Sequence, residues 1–192
     1  MRHDLSIAGA CFRLRPIGDA DAGFVVELRS NRERAQHLNR GAQTVEQQLE
    51  WFRWYYSREG DYYFVVERLS DGRSEGLIAV YDVQRGCGEW GRWILRPDSS
   101  AAVESAWLIY RAGFELLELQ SMYCRTVAFN RQVVSFHDSC GVPTRRVIPA
   151  HFTLDDRKVD AVEHCIDREG WPAVAARLGS LAATISRRSR HA

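Results

Sequence analysis

The sequence has almost no net charge and no long apolar run, and each absence excludes a class of protein. Its 26 basic residues face 25 acidic residues, which leaves a net charge of +1. A protein that neutralises many phosphates needs a more cationic surface, so we expect no nucleic-acid binding. The N-terminal stretch MRHDLSIAGACFRLRP is not apolar enough for a signal peptide or a membrane span. We therefore expect a cytoplasmic protein that does not bind a membrane.

The sequence also lacks a CxxC pair, and its five cysteines are an odd number. This usage is typical of reduced thiols in a reducing compartment. Metal-binding residue types do occur together, at His137/Cys140 and at His164/Cys165. A structural zinc site usually shows a CxxC-like knuckle, however, so the sequence predicts no metal site.

Nothing in the chain marks a boundary between domains. It has 192 residues, 45% of them hydrophobic and 27% charged, which is enough for one domain with a sizeable core and short for two. There is no internal repeat, low-complexity tract or flexible linker. We predict one domain over residues 1–192, in which residues 170–192 form a C-terminal helix and a solvated basic tail.

Hydrophobic periodicity and capping residues divide the chain into strands and helices. Thr44, with Gln47 three residues later, resembles a capping box that opens the second helix. The predicted strands are 11–17, 62–70, 76–84, 88–97, 121–129, 144–149 and 157–166, and the predicted helices are 19–30, the segment after Thr44, 101–118, 130–141 and a last one from Trp171. This order predicts an α/β fold with a mixed, mostly antiparallel sheet of about seven strands flanked by helices.

One short helix carries a histidine on its apolar stripe. The segment NRQVVSFHDSCGV opens with Asn130 and closes with Gly141, and Val133, His137 and Cys140 share one helical face. Two interpretations are open. His137 is either a core histidine with a satisfied hydrogen bond or a proton donor, since histidine is easily tuned near neutrality.

The order of elements, with GRWILRPDSSAA, AGFELLEL and N-x-x-V-x-x-F-H-x-x-x-G, resembles the GNAT superfamily of acyl-CoA-dependent N-acyltransferases. The resemblance covers roughly residues 11–168. It implies a GNAT fold whose sheet is splayed between the fourth predicted strand (88–97) and the fifth (121–129). It also implies acetyl-CoA, or another short acyl-CoA, as co-substrate.

The resemblance assigns roles on both sides of this splay. His137 stands where family members often have the tyrosine that protonates the departing CoA thiolate, and Asn130 stands where an asparagine commonly contacts the pantetheine arm. Main-chain groups of Ile94, Leu95 and Arg96 would hold pantetheine like an added strand. An N–H among them would polarise the thioester carbonyl.

The sequence departs from the family in the loop that binds the CoA pyrophosphate. Family members usually read Q/R-x-x-G-x-G/A there, whereas the frame that starts at Arg96 has Ser99 and Ala101 at the glycine positions. The four small residues Ser99, Ser100, Ala101 and Ala102 still permit close approach of main-chain N–H groups at a helix N-terminus. The alternative is that this segment is only a helix start.

The front half resembles the branch that acylates amino sugars on nucleotide carriers, such as the pseudaminic-acid-pathway N-acetyltransferases. The stretches that carry this resemblance are ELRSN, EQQLEWF, DYYFVVE and the late FH-x-x-x-G, although ribosomal-protein N-terminal acetyltransferases share much of the frame. A cation for a diphosphate and a flat apolar face are needed for such an acceptor. The predicted substrate-binding residues are Arg29, Asn31, His37, Trp51, Trp54 and Tyr55. The alternative is that WFRWYY packs in the core.

The amine must lose a proton before it attacks a thioester, so a base is required. Glu89 and Asp82 are the acidic candidates and His37 is another, while each carboxylate can instead be a turn or edge charge. We expect direct transfer to a nucleotide-linked amino sugar. The alternatives are a protein N-terminus or an amino-bearing antibiotic as acceptor, or an inactive GNAT-fold binding module. Pairing of the late strands would make a homodimer reasonable.

Overall fold

A computed structural model describes residues 2–30, 41–154 and 156–189. The strands in these residues are β1 (Ile7–Ala8), β2 (Phe12–Pro16), β3 (Tyr62–Arg68), β4 (Ser74–Gln84), β5 (Cys87–Leu95), β6 (Ser121–Val127), β7 (Thr144–Leu154) and β8 (Arg157–Asp167). The helices are α1 (Ala22–Arg29), α2 (Val45–Tyr56), α3 (Ala102–Arg111), α4 (Arg131–Ser139) and α5 (Trp171–Ser189). A 3₁₀ turn (Asp19–Asp21) precedes α1, and a π-helical turn (Ala112–Leu116) extends α3.

The strands form one sheet in the order β1-β2-β3-β4-β5-β6-β8-β7. The α/β GNAT fold predicted from the sequence is confirmed, but the described sheet has eight strands rather than about seven. The additional strand is β1, which pairs Ile7 with Leu14 and is only two residues long. A segment of two residues shows no alternation, so periodicity could not reveal it.

Every neighbouring pair of strands in this sheet is antiparallel except β5 and β6. These two are parallel because α3 carries the chain back across the sheet between them. They pair over Cys87–Glu89 alone. The predicted splay between the fourth and fifth strands, now β5 and β6, is therefore confirmed.

A bulge in β5 reinforces the divergence. Leu77 pairs with Ile94 and Ala79 with Gly91, so two residues of β5 lie opposite one residue of β4. Arg92, inside the bulge, has φ of +49°. A bulge of this kind bends its strand and increases the local twist, which turns β5 away from its neighbour.

The two faces of the sheet are covered by different helices. Alternate residues of the strands, such as Val80 and Trp90, pack with residues of α3 and α5 in the first part of the core. The opposite face, which includes Tyr63 and Ala79, packs against α1 and α2 in the second part. Because successive residues of a strand point to opposite faces, Glu89 lies on the α2 side when Trp90 lies on the α3 side.

Side-chain caps place the second and fourth helices as predicted. The Thr44 hydroxyl accepts a hydrogen bond from the Gln47 N–H at 3.3 Å. Gln47 does not complete the capping box, because its side chain accepts from the Gln43 N–H at 2.8 Å. Asn130 caps α4 by accepting from the Val133 N–H at 3.4 Å, and Gly141 follows the helix with φ of +78°, a conformation that favours glycine.

Candidate active site

The predicted coenzyme-binding stretch of β5 faces the gap where β6 has turned away. The other edge of this stretch pairs with β4. Ile94 pairs with Leu77, and the Arg96 N–H donates to the Glu75 carbonyl at 2.8 Å. The described residues contain no β5–β6 pair beyond Glu89. The edge of β5 that faces the gap can therefore accept an extended ligand as if it were a strand.

The loop of small residues carries the N-terminus of α3. Helix α3 begins at Ala102, and the fully buried Ala101 is its N-cap. The Ser99 hydroxyl accepts a hydrogen bond from the Ala101 N–H at 3.3 Å. Main-chain N–H groups at a helix N-terminus can bind a pyrophosphate, to which they present the positive end of the helix dipole.

The adjoining cavity has a volume of about 660 Å³ and is lined by Ser99 and Ser100. Three arginines also line it, namely Arg68, Arg73 and Arg96. Their charges are partly balanced, because Arg68 and Arg73 both form ion pairs with Glu75 and Arg96 forms one with Glu27. The cavity wall beside the small-residue loop therefore carries both signs of charge, since Glu75 and Asp98 line it as well.

His137 lies on the buried face of α4 and is only 2% exposed. Its ring packs edge-on against Trp90 of β5 at 5.2 Å between centroids, and Trp93 lies at 6.2 Å. Its Nδ1 atom is buried and has no hydrogen-bond partner in the described part of the chain. His137 thus lies beside β5 where the two strands diverge, buried as a core histidine would be but with an Nδ1 atom that has no partner among the described residues.

The surroundings of His137 favour its neutral form. Burial lowers the pKa of His137 to about 3, and the neighbouring His164 acts in the same direction. An imidazolium is therefore rare at this position near neutral pH. The neutral ring still has one N–H that can donate a hydrogen bond.

Glu89 is the buried carboxylate on the other face of the same strand. It is 7% exposed, receives a hydrogen bond from the Tyr81 hydroxyl at 3.0 Å and pairs with Arg125 at 3.1 Å. Burial raises the pKa of Glu89, while Arg125 and Tyr81 oppose the rise. A carboxylate with a raised pKa at the start of the divergence has the properties of a general base.

Asp82, the other acidic candidate, is placed differently. Its side chain is 54% exposed and pairs with Arg58 at 3.4 Å, and its φ is +51° within β4, where the register against β5 shifts between Tyr81 and Gln84. Together with Arg58 it lines a separate cavity of about 590 Å³. Of the two carboxylates, Glu89 is the one that lies at the divergence.

The predicted acceptor-binding aromatics separate into different environments. Tyr55 is 1% exposed and its hydroxyl accepts the Tyr63 N–H at 3.0 Å, so it belongs to the core. Trp51 is half-buried and stacks on Tyr55 with centroids 5.5 Å apart. Trp54 is 49% exposed, and Arg58 lies 4.8 Å from its ring. Packing thus accounts for Tyr55, while Trp51 is only partly buried and Trp54 is exposed.

Of the remaining predicted acceptor residues, only Arg29 is described. It ends α1 and lies next to the buried Tyr63. Burial raises the pKa of Tyr63, and the guanidinium groups of Arg29 and Arg92 oppose that rise. Asn31 and His37 lie outside the described residues.

One ion pair beside these aromatics was missed by the sequence interpretation. Arg92 donates two hydrogen bonds to Asp61, at 2.6 and 2.9 Å, and Asp61 is 1% exposed. The Arg92 guanidinium lies 4.5 Å from the Tyr81 ring and 5.6 Å from the Trp51 ring. The two partners are 31 positions apart, and only the strand register and the bulge bring them together.

The described helices include none that is long and apolar enough to cross a membrane. The acetyltransferase (GNAT) domain model matches residues 12–142. The chain belongs to the GNAT family. Acetyltransferases of this family use acetyl-CoA, so this GNAT protein is an acyl-CoA-dependent N-acetyltransferase.

Solved structures of other GNAT proteins share the fold. Apo FdhC, a nucleotide-linked sugar GNAT, is 28% identical with a TM-score of 0.72, and the match covers 88% of this chain and 94% of that chain. Spermidine N-acetyltransferase from Vibrio cholerae, in complex with CoA and spermine, is 18% identical with a TM-score of 0.76, covering 85% and 99%. A GCN5-related N-acetyltransferase from Brucella melitensis is 17% identical with a TM-score of 0.80, covering 94% and 86%. No curated protein sequence gives a significant match.

Proposed function

We propose that this GNAT enzyme transfers an acetyl, or another short acyl group, directly from acyl-CoA to the amino group of a nucleotide-linked amino sugar. The likeness to FdhC supports this acceptor class, since that protein is described as a nucleotide-linked sugar GNAT. The likeness to spermidine N-acetyltransferase supports the fold alone, because the two chains are 18% identical.

The observation that carries the proposal is the charge balance on the face of the sheet that contains Glu89. The buried carboxylates there are already neutralised by arginines, in the pairs Arg92–Asp61, Arg125–Glu89, Arg125–Glu163 and Arg146–Glu163. A polyamine acceptor needs unpaired carboxylates, whereas a diphosphate needs cations, which arginine supplies with a planar set of donors. These pairs join three arginines to three carboxylates, so they leave no excess negative charge to attract a polyamine.

Glu89 is the proposed general base, acting directly or through a water. Its raised pKa keeps it able to accept a proton, and its contacts with Tyr81 and Arg125 hold the carboxylate in one orientation. The acceptor amine approaches from this side of the sheet. Trp51 and Arg29 are the proposed contacts for the sugar or base and for the diphosphate.

His137 is the proposed donor to the CoA thiolate on the opposite face of β5. Because its imidazole is neutral at rest, it enters the reaction as an N–H donor and not as a preformed imidazolium. The edge of β5 near Ile94 and the start of α3 hold the pantetheine arm and the pyrophosphate, with Asn130 at the start of α4 beside them. Acid and base then lie on opposite sides of one strand, with the reacting thioester in the gap.

The test is a release assay for free CoA with a panel of acceptors at saturating acetyl-CoA. The panel contains a UDP-linked and a dTDP-linked amino sugar, spermidine, an aminoglycoside and a short peptide with a free N-terminus. We expect turnover with at least one nucleotide-linked sugar and none above background with spermidine. Turnover with spermidine or the peptide alone would refute the acceptor class, and failure of calorimetric titration to detect acetyl-CoA binding would favour the inactive binding module.

A further inference from the structure

The carboxylate of Glu89 belongs to a chain of ion pairs that crosses the sheet from β5 to β8. Arg125 lies on β6, two residues beyond Tyr123, which is opposite Glu89 in the last described β5–β6 pair. The Arg125 side chain reaches back across the divergence, and its Nη1 atom donates to Glu89 at 3.1 Å. Its Nε atom donates at 2.9 Å to Glu163, which lies directly opposite on β8. One guanidinium therefore serves two carboxylates on different strands.

Glu163 is held from two sides. Its Oε2 atom accepts the hydrogen bond from Arg125, and its Oε1 atom accepts one from Nε of Arg146 on β7 at 2.6 Å. Glu163 is 5% exposed. Burial acts to raise the pKa of Glu163, but the two arginines outweigh it, so this pKa is lower than usual. Glu163 is therefore ionised near neutral pH and competes with Glu89 for the charge of Arg125.

The guanidinium of Arg125 is fixed between its two partners. It lies 4.6 Å from the centroid of the Tyr123 ring, and the side chain of Arg125 is 23% exposed. Its planar group presents donors in fixed directions, so Nη1 and Nε can serve Glu89 and Glu163 at the same time. Loss of the charge on Glu163 would leave the whole charge of Arg125 to Glu89.

An arginine that paired with Glu89 alone would make this carboxylate a poor base. An opposite charge within about 4–6 Å lowers the pKa of a carboxyl group by roughly 1–3 units, and a base becomes less effective as its pKa falls below the operating pH. In this structure the effect of burial on Glu89 exceeds that of Arg125, and the pKa of Glu89 is raised. Glu163, a like charge, acts in the same direction as burial.

We propose that Glu163 is a positioning residue that holds Arg125 between two carboxylates and thereby keeps Glu89 basic enough to take the proton of the acceptor amine. This inference rests on the proposed role of Glu89 as the base. Arg125 then orients the Glu89 carboxylate without fully neutralising it. Glu163 acts through Arg125 and not on the amine itself.

Ionisable groups face Glu89 from several strands. They are Tyr81 and Asp82 on β4, Cys87 on β5, Tyr123 and Arg125 on β6 and Glu163 on β8, with Arg146 and His151 of β7 close to Glu163. A second arginine, Arg92, lies 4.5 Å from the Tyr81 ring but is paired with Asp61. Arg125 is the arginine that contacts Glu89 directly, so the division of its charge has a direct effect on the base.

The first test compares the pH profiles of two variants that change Glu89 in opposite directions. Glu163→Gln leaves Arg125 to Glu89, so the acid limb of kcat/KM should move to lower pH by about one unit, and kcat at neutral pH should fall about fivefold. Arg125→Gln removes the cation, so the acid limb should move to higher pH by about one unit. Arg125→Lys keeps a charge and should restore part of the wild-type position. Limbs that stay in place in both variants, or that move in the same direction, would overturn the proposal.

Glu67 provides the matched control. Like Glu163, it is a buried glutamate that pairs with two arginines, here Arg13 and Arg15, and β4 separates its strand β3 from β5. Glu67→Gln should lower the melting temperature about as much as Glu163→Gln does, because each breaks a buried ion-pair cluster. Its acid limb should stay within about 0.2 pH unit of the wild type. A limb that moves as far in Glu67→Gln as in Glu163→Gln would contradict a specific role for Glu163.

The second test does not depend on activity. Carboxyl ¹³C NMR of the free protein, labelled at the glutamate side chains, follows the protonation of Glu89, whose signal is assigned by its absence in Glu89→Gln. We expect the titration midpoint of Glu89 to fall in Glu163→Gln and to rise in Arg125→Gln. Midpoints equal to that of the wild type would overturn the coupling. If the wild type acetylates no acceptor while the midpoints move in these opposite directions, the proposed function fails and the coupling stands.

Discussion

At the scale of single residues, the account depends on two buried groups on opposite sides of β5. His137 is 2% exposed and Glu89 is 7% exposed. Burial lowers the pKa of His137 and raises the pKa of Glu89, and both shifts favour the neutral form of the side chain. Burial perturbs structural groups in the same way, so position distinguishes these two. Their common position at the divergence of β5 and β6 is what connects them to the reaction.

Replacement of His137 separates its chemistry from its packing. His137→Phe keeps an aromatic ring against Trp90 and removes the N–H, so we expect kcat to fall by roughly 100-fold or more, the usual contribution of a general acid. His137→Tyr restores a proton donor and should retain more activity than His137→Phe. Steady-state kinetics and thermal melting of both variants test this. Equal turnover in the wild type and His137→Phe would show that the histidine is structural.

Replacement of Glu89 tests the base. Glu89→Gln keeps the hydrogen-bonding shape towards Tyr81 and Arg125 but cannot accept the amine proton, so kcat should fall by about 100-fold. In the wild type, kcat/KM should decrease as the pH falls through the raised pKa of Glu89, since a base must be deprotonated to act. That acid limb should disappear in the residual activity of Glu89→Gln. Asp82→Asn is the control and should change kcat by less than about twofold, because Asp82 is exposed.

At the scale of elements, the sequence departs from the motif usual in GNAT proteins at the start of α3. Ser99 and Ala101 replace the two glycines of the family motif, and Ser99 lines the cavity just before the helix begins. Ser99→Asp adds a negative charge there and should weaken acetyl-CoA binding about 10-fold, less at high salt. Ser99→Ala should bind within about twofold of the wild type, since main-chain N–H groups are the proposed donors. If calorimetry gives both variants the same affinity for acetyl-CoA as the wild type, the pyrophosphate does not bind at this helix start.

The order and type of the elements could be predicted from the sequence because capping and periodicity are local. Asn130 and Gly141 bound α4 in the sequence and in the structure for the same reasons, a side-chain cap and a positive φ. Strand β7 was harder, since the predicted strand of residues 144–149 extends to Leu154. Its residues are largely exposed, so no alternation marks its end, and its register against β8 shifts between Ile148 and Phe152.

A site residue could be predicted only where it occupies a position in a recognisable sequence motif of the family. His137 could be found in this way, and its ring does lie beside β5. The Arg92–Asp61 pair and the His164–Asp138 contact could not, because each joins residues that only the fold brings together, 31 and 26 positions apart. Tyr55 was expected to contact the acceptor but is 1% exposed. Aromatic residues at helical spacing show the same sequence pattern in a core and on a binding surface.

At the scale of the whole molecule, the buried His137 links the site to stability. Its folded pKa of about 3 lies below the ordinary value of 6.5, so below pH 6.5 the unfolded chain binds more protons and stability decreases with falling pH. The stability that comes from keeping His137 neutral is fully present above pH 6.5. It is lost progressively as the pH falls from 6.5 to about 3. It amounts to a few kcal/mol, since one pKa unit corresponds to about 1.4 kcal/mol.

Chemical denaturation of the wild type and His137→Phe between pH 4 and pH 7 measures this contribution. The free energy of unfolding should decrease less steeply with falling pH in His137→Phe, because phenylalanine takes up no proton in either state. His3 and His151, whose pKa values are also lowered by burial, are the same in both proteins and cancel in the difference. Parallel pH dependences in the two proteins would contradict the burial of a neutral His137.

The central claim is that this GNAT enzyme acylates an anionic, nucleotide-linked amino sugar in preference to a polyamine. The most direct measurement is a competition in which one reaction contains acetyl-CoA with equal concentrations of a dTDP-linked amino sugar and spermidine. Mass spectrometry of the products then gives the ratio of the two kcat/KM values. The account predicts acetylated sugar nucleotide in at least 100-fold excess, and an excess of acetylspermidine would contradict it.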